Sequence, residues 1–336
     1  MAHQKVQNSS ETMWNFKKLL LEEIKKNGGW VNSHAHVDRA FTVNPDSLDV
    51  YKKHSLEEKW DLVDVVKKNA SVDEYYRRAS LALEVMIEQG VTAVGSFVDV
   101  DPVCEDRALK GVMKAREKYK KQITVKLINQ VLKGVINKEA RKWFDVAADA
   151  VDIIGGLPKR DERDYGKGEE HINILMETAK KYKKMVHVHV DQFSTVEDKE
   201  TELLADKTIE YGLQDKVVAI HGISLGSHQE KYRQKVYKKL VKAGVMMIAC
   251  PIAWIDTKRS EVLQPRHNSL TPVDELVPAG VTVALGTDNI CDYMVPFCDG
   301  DMWQELSLLA TGNRFVELDE LVKIATVNGR KVLGLA

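Results

Sequence analysis

The apolar positions of this chain fall into eight short runs: Trp30–Ser33, Val91–Val98, Ile123–Leu127, Val151–Ile154, Met185–Val190, Val217–Ile220, Val245–Ala249 and Val281–Leu285. Each has the length of a buried strand, and most are continuous rather than alternating, which is the pattern of parallel strands covered on both faces. Stretches rich in Glu, Lys, Leu and Ala lie between them and predict helices, among them Ser80–Gln89, His171–Lys184 and Glu230–Ala243. Gly90 and Gly244 follow two of these stretches, where glycine commonly ends a helix. A further helical stretch, Trp14–Lys26, precedes the first strand. Strand and helix alternating in this way predict an α/β fold with a parallel sheet. A closed (β/α)₈ barrel of the TIM type accounts for eight units in about 300 residues better than an open doubly wound sheet. No G-x-G-x-x-G follows the first strand, so the usual nucleotide role of an open sheet has no support. The expected organisation is a helical extension over residues 1–28 and one barrel over residues 29–336. The charged segment Thr42–Val72, with Tyr51 and Trp60, predicts an excursion over the barrel top between the first and second strands.

Composition narrows the classes of function. The chain is 44% hydrophobic and 29% charged, with a formal net charge of −1. That is ordinary for a soluble domain with a sizeable core. It offers no global attraction to nucleic acid or to an anionic membrane. Lysine-dense runs such as Lys114–Lys121 and Lys180–Lys184 read as solvated helix faces. The four cysteines, Cys104, Cys250, Cys291 and Cys298, include no C-x-x-C pair, which argues against a zinc knuckle, and four in this length make no disulfide framework. No apolar run reaches the roughly 18 residues of a membrane span. Met1–Thr12 lacks the apolar core of a secretory signal, so the expected compartment is the cytoplasm.

The chemistry sits where the apolar runs stop. The first run ends in Asn32-Ser33-His34-Ala35-His36, and residues two apart on a strand project to the same face. The fifth carries His187, His189 and Asp191, with Gln192 next, and by the same periodicity His187, His189 and Asp191 are expected on one face. The sixth ends in His221-Gly222 and the eighth in Gly286-Thr287-Asp288-Asn289. In a barrel all these ends lie at the C-terminal face, where active sites are built. Buried imidazole and carboxylate groups are costly unless paired or bound, and four strands converging on them point to a metal. His187, one layer deeper than His189, reads as a satisfied core histidine. His54, His171 and His228 read as surface or loop residues, and His267 follows a long loop after the seventh strand.

With these motifs the chain resembles the amidohydrolase superfamily, and within it the cytosine deaminase-like branch. The resemblance runs from Trp30 to Leu335 through His34 and His36, Asp152-Ile-Ile-Gly-Gly-Leu-Pro158, His189 in His-Val-Asp-Gln, His221, Asp288, and the tail Ile324–Leu335. It implies one divalent metal, zinc ahead of iron, held by His34, His36, His189 and Asp288, with His221 beside the reacting water. The fourth strand offers Gly155-Gly156 and no lysine, so a two-metal site bridged by carbamylated lysine is not expected. Relatives usually carry Glu where Gln192 stands and an acidic residue where Asn289 stands. The third-strand segment that supplies a base-binding glutamine reads Val131-Leu132-Lys133-Gly134 here. A flanking β-sandwich is not expected, because only about 29 residues precede the first strand and the chain ends at Ala336.

The reaction so implied is hydrolysis of a carbon–nitrogen bond (amide, lactam or amine) of a small molecule. The metal lowers the pKa of water from 15.7 toward about 7. Asp288 is the expected general base, His221 the group that steadies the nucleophile or the oxyanion, and Gln192 an orienting group that cannot carry a proton. Lys133, Trp254, Asp256 and Asn289 are the expected substrate contacts. Two other readings stand beside this one: a ring deaminase or N-dealkylating aminohydrolase in which Asp191 or water replaces the missing Glu, and a catalytically inactive metal-binding barrel that binds a ligand. A homo-oligomer is compatible with the apolar helix faces of a barrel, but no interface is identifiable.

Overall fold

The structure, a computed structural model, describes residues 15–256 and 268–335, with the side chain of Asp256 outside the described set. Eight strands follow one another along the chain: β1 Trp30–Ala35, β2 Val91–Asp99, β3 Thr124–Gln130, β4 Ile154–Gly156, β5 Val186–Val190, β6 Val217–His221, β7 Met246–Ala249 and β8 Val283–Leu285. All neighbours pair in parallel, in two arcs ordered β1-β2-β3 and β4-β5-β6-β7-β8. Two seams join the arcs, and each is bridged by single parallel contacts, Ile128 with Ile153 and Ala35 with Asp288. This is the α/β architecture with parallel strands that the apolar runs predict.

Both seams use an asparagine side chain in place of missing ladder bonds. Asn129 accepts from the Gly155 N–H at 2.9 Å and donates to its carbonyl at 3.3 Å. Asn32 donates to the Thr287 hydroxyl at 2.9 Å and accepts from the Thr287 N–H at 3.2 Å. The His34 carbonyl takes the N–H groups of Thr287 and Asp288 at 3.0 and 2.9 Å. Gly286 is required there, since a Cβ would lie 2.8 Å from the His34 Cβ. The β8 seam thus sets the backbones of His34 and Asp288 side by side.

The strand faces divide the core. An inner cluster takes alternate residues, such as Ala93 and Phe97, Val218 and Ile220, Met246 and Ile248, joined by Val332 and Leu333 at the end of the last helix. The larger cluster lies between the strands and the surrounding helices. β4 starts later than its apolar run: Asp152 and Ile153 are spent on the Leu127 carbonyl, and the ladder proper runs through the two glycines. A Cβ on Gly155 would collide with the Asn129 carbonyl oxygen.

The first helix spans Phe16–Lys26; Trp14, expected within it, lies outside the described residues. Among the described residues no helix is long and apolar enough to cross a membrane. The segment after β1 does form a cover, built of a 3₁₀ turn Pro45–Ser47 and helices Leu48–Lys53, Leu56–Leu62 and Asp64–Lys68. Two polar anchors hold it down. Asp61 receives Lys133 at 2.8 Å, Arg160 at 2.9 Å and Arg163 at 3.4 Å. Lys67 is fully buried and inserts between Asp101, with which it makes a close ion pair, and Asp99 at 3.8 Å.

Two histidines expected to be surface or loop residues, His171 in a helix and His228 in a loop, are buried. The Nε2 of His171 accepts the Leu157 N–H at 3.0 Å, so its Nδ1–H faces Asp161 at 2.6 Å. His228 donates to the Asp198 carbonyl at 3.0 Å. Both sit on helical or loop segments whose composition looks solvated, and only the tertiary packing buries them.

Candidate active site

His34, His36, His189, His221 and Asp288 meet at the C-terminal mouth of the strands, all buried. The Nε2 atoms of His34 and His36 lie 3.1 and 3.2 Å from Asp288 Oδ1, and His221 Nε2 lies 3.9 Å from Oδ2. His189 pairs in register with Ile220, one layer above His187, which pairs with Val218. His187 spends its Nε2–H on the Val332 carbonyl at 2.8 Å, away from the mouth. Phe97 packs edge-on against His34 and His189, with ring centroids 5.0 and 4.5 Å away, and so holds both imidazoles in place.

Backbone conformation completes the convergence. Strand alternation would turn His221 outward after the inward Ile220. Its φ of 78° swings it back into the mouth, and Asp288 has φ 61°. Such conformations are uncommon for residues other than glycine, cost about 1–3 kcal/mol each and persist where the surroundings over-determine them. Asp191 also has positive φ, which breaks the shared face expected with His187 and His189. Its carboxylate turns to cap the helix Glu200–Glu210, accepting the N–H groups of Glu200 and Thr201 at 2.8 and 3.2 Å.

The donor set suits a divalent cation. His189 Nδ1–H donates to the Gly156 carbonyl at 3.1 Å, which leaves a lone pair on Nε2, and that buried atom has no hydrogen-bond partner. Burial holds the pKa of His189 well below the usual histidine value, and brings His36 down to about 3 and His221 to about 4. These rings are therefore neutral and able to ligate at neutral pH. Burial pushes Asp288 up, but hydrogen bonds from His34 and His36 outweigh it and hold the carboxyl well below the ordinary range, hence ionised. Ligand atoms of His34, His189 and His221, and of His34, His36 and Asp288, lie within 4.8 Å of one another in each group. Ligands about 2.0–2.1 Å from a tetrahedral ion sit roughly 3.3 Å apart, close to the two short separations at Asp288 Oδ1.

A cavity of about 280 Å³ opens over these groups. Its floor carries His36, His189, His221, Asp288 and three side-chain amides, Gln130, Gln192 and Asn289. Its roof comes from the cover, through Tyr51, Lys52, His54, Leu56, Lys59 and Trp60, together with Met294 and Val295. Among the described residues Asp288 is the only carboxylate in the lining.

The amidohydrolase family profile matches residues 28–336 of this chain. The chain belongs to the amidohydrolase family. It is similar to an uncharacterized protein of Haemophilus influenzae, 58% identical over 263 residues, which are 78% of this chain and 95% of that one. It is also similar to N-isopropylammelide isopropyl amidohydrolase of Pseudomonas sp., 25% identical over 91% of this chain and 74% of that protein. The fold matches the crystal structure of 5-methylcytosine deaminase from Klebsiella pneumoniae with a TM-score of 0.84, at 24% identity, covering 91% of this chain and 75% of that one. As an amidohydrolase the chain is a metal-dependent hydrolase of carbon–nitrogen bonds.

Within this amidohydrolase the remaining expected residues divide. Gln192 lines the cavity, and its buried Nε2 has no partner. Asn289 lines it too, donating to Asp288 Oδ1 at 3.0 Å. Lys133 does not reach the cavity, because Asp61 and Asp64 draw its ammonium outward, each at 2.8 Å. Trp254 is fully buried in the core, and its neighbour Ala253 takes the lining position. Asp256 ends the helix Pro251–Asp256, with its side chain outside the described residues, as is all of His267. Gln130, the last residue of β3, stands one position before Val131-Leu132-Lys133-Gly134, the segment expected to supply a base-binding glutamine, and it does face the cavity. His54 and Arg39 line it as well. For Arg39 the available signal was its place three residues after His36.

Proposed function

We propose that this amidohydrolase hydrolyses a carbon–nitrogen bond of a small planar heterocycle, with one divalent cation, zinc ahead of iron, held by His34, His36, His189 and Asp288. One observation carries the reading: a single cavity joins Asp288 and the histidines to three side-chain amides below a roof of aromatic, apolar and basic side chains. Amides offer both donors and acceptors to the polar edge of a ring, while Tyr51 and Trp60 supply apolar faces. The chemistry of the two relatives, on N-isopropylammelide and 5-methylcytosine, agrees with such a substrate. A cytoplasmic location agrees with the composition.

The cation supplies Lewis acidity that lowers the pKa of water toward about 7. Asp288, ionised and facing that position, takes the proton as general base. His221, neutral, holds the nucleophile and then the developing oxyanion. Gln192 orients the substrate and cannot titrate. Asp191, committed to its helix cap, is not available as a substitute. The proton taken by Asp288 is therefore the one returned to the leaving nitrogen. Water adds across the bond, leaving a carbonyl or hydroxyl on the ring carbon and releasing an amine. This load favours amines that depart with little help.

Metal analysis of purified wild type against His34→Ala, His189→Ala and Asp288→Ala is the first test. One equivalent in the wild type, falling below about a tenth in each variant, is expected from loss of a ligand. Unchanged content in all three refutes the assignment. Amine release from a panel of amino-, alkylamino- and oxo-heterocycles is the second. A metal-loaded protein that binds panel members without turnover would favour the inactive binding reading.

A further inference from the structure

We infer that Arg39 is a positioning residue: through Asn289 it sets the orientation of Asp288. The inference rests on the reading above, in which Asp288 holds metal and moves a proton. Arg39 is buried, and its Nη2 donates to Asn289 Oδ1 at 3.0 Å. Asn289 Nδ2 in turn donates to Asp288 Oδ1 at 3.0 Å. The direction of this chain follows from chemistry. Arginine only donates and an ionised carboxylate only accepts, so the amide between them has one workable orientation, oxygen to Arg39 and nitrogen to Asp288. No other side-chain type offers both ends in one planar group of this size. An acid at position 289 would keep the arginine and lose the donor, leaving two carboxylates in contact.

Arg39 is itself held from behind. Its Nη1 reaches both oxygens of Asp99 at 3.4 Å, and its Nε lies 3.7 Å from Asp292. The Asp99 backbone N–H donates to Asp38 Oδ2 at 2.9 Å, and its carboxylate stands 3.8 Å from Lys67 of the cover. The planar guanidinium engages Asp99 through Nη1 and Asn289 through Nη2, two donors fixed in one fork. With Oδ1 of Asp288 engaged by Asn289 and approached by His34 and His36, the oxygen left facing His221 is Oδ2. The relay thus selects which oxygen faces His221.

Two measurements test this, one of them without metal. In metal-free protein labelled with ¹⁵N-asparagine, the Asn289 side-chain amide pair is identified by its disappearance in Asn289→Leu. It is expected to move in Arg39→Gln and in Arg39→Lys; the lysine variant keeps a positive charge between Asp99 and Asp292 and so guards against loss of the fold. In protein loaded with Co²⁺ as the probe, the visible absorption of the bound ion is expected to shift in Arg39→Lys and in Asn289→Leu. The double variant should match Asn289→Leu alone, as it must when two residues act through one contact. On whichever panel substrate turns over, both single variants should lose about tenfold in kcat with KM within about twofold. An Asn289 amide and a Co²⁺ spectrum that both stay at wild-type values in the Arg39 variants overturn the inference, as do effects that add in the double variant. A rise in KM alone also overturns it, by making Arg39 a direct substrate contact. A wild type that takes up no Co²⁺ sinks the metal reading instead, and the amide measurement still decides the relay.

Discussion

Replacing Lys67 by methionine is a severe test of how the cover is held over the cavity. Lys67 comes from the helix Asp64–Lys68, is fully buried, and meets Asp101 and Asp99 with Asp64 at 3.6 Å. Methionine fills the volume but leaves the buried Asp101 carboxylate without its cation, while Asp99 keeps Arg39. Breaking a buried pair in this way costs about 3–5 kcal/mol. With a urea slope of about 3 kcal/mol per molar, the unfolding midpoint should fall by roughly 1–1.7 M at pH 7.5. The pH dependence carries a sign. Burial pushes the Asp101 carboxyl up and Lys67 pulls it further down, so its pKa in the folded protein lies below the ordinary value. Its contribution in the wild type is present above a pH of about 3.9 and is lost as pH falls through the lowered value. Without Lys67 burial is opposed only by the Val103 and Cys104 N–H groups, so the folded pKa rises, and the variant forfeits the stability that the wild type keeps as pH climbs past about 4. The gap between variant and wild type should therefore be wide at pH 7.5 and narrow at pH 5. A midpoint drop below about 0.3 M at pH 7.5, or an equal drop at both pH values, would refute the reasoning.

Three further perturbations separate roles. Gln192→Glu places a titratable group in the lining, and should raise turnover of aminated rings by about 10²-fold, the lower end of general acid–base assistance; unchanged turnover would show that proton delivery is not limiting. Lys133→Ala should leave KM within about twofold and cost no more than about 1 kcal/mol, because its partners are Asp61 and Asp64 outside the cavity; a large rise in KM would return it to the site. Gly155→Ala drives a Cβ into the Asn129 carbonyl and to within 2.7 Å of Phe97, which supports His34 and His189. It should destabilise by about 1–3 kcal/mol and weaken metal retention in dialysis against a chelator; wild-type retention would show that Phe97 does not support the imidazoles.

The strands and their chemistry were legible because burial on two faces leaves an unbroken apolar record, and because each polar group appears where that record stops. Periodicity placed His34, His36 and His189 for the same reason. It misread Asp191, since alternation holds only while φ stays negative, and Asp191 leaves the strand in the left-handed region to cap a helix. His221 and Asp288 reach the mouth by the same departure, so for them position at a strand end was informative and alternation was not. The lining beyond the strands was less legible. Lys133 and Trp254 have the chemistry of substrate contacts, but one is drawn off by acidic residues of the cover and the other by the core. His54 and Arg39 enter the cavity through the path of the long segment after β1, which no local pattern encodes.

The absence of a second carboxylate in the described lining changes what Asp288 has to do. In a site with a glutamate beside the fifth-strand histidine, proton uptake from water and proton delivery to nitrogen can be divided between two groups. Here His36, His189 and His221 are buried and neutral, Gln192 is an amide, and Asp191 is spent on a helix N-terminus. In the proposed mechanism one carboxylate then performs both transfers, and the direction in which its free oxygen points matters more than it would in a divided system. A carboxylate free to rotate would present either oxygen. Asn289, itself oriented by Arg39, removes that freedom. The substitution of glutamine for a proton carrier at position 192 and the presence of an amide rather than an acid at position 289 are thus two parts of one arrangement: the first concentrates proton transfer on Asp288, and the second holds Asp288 in the orientation that the doubled role requires.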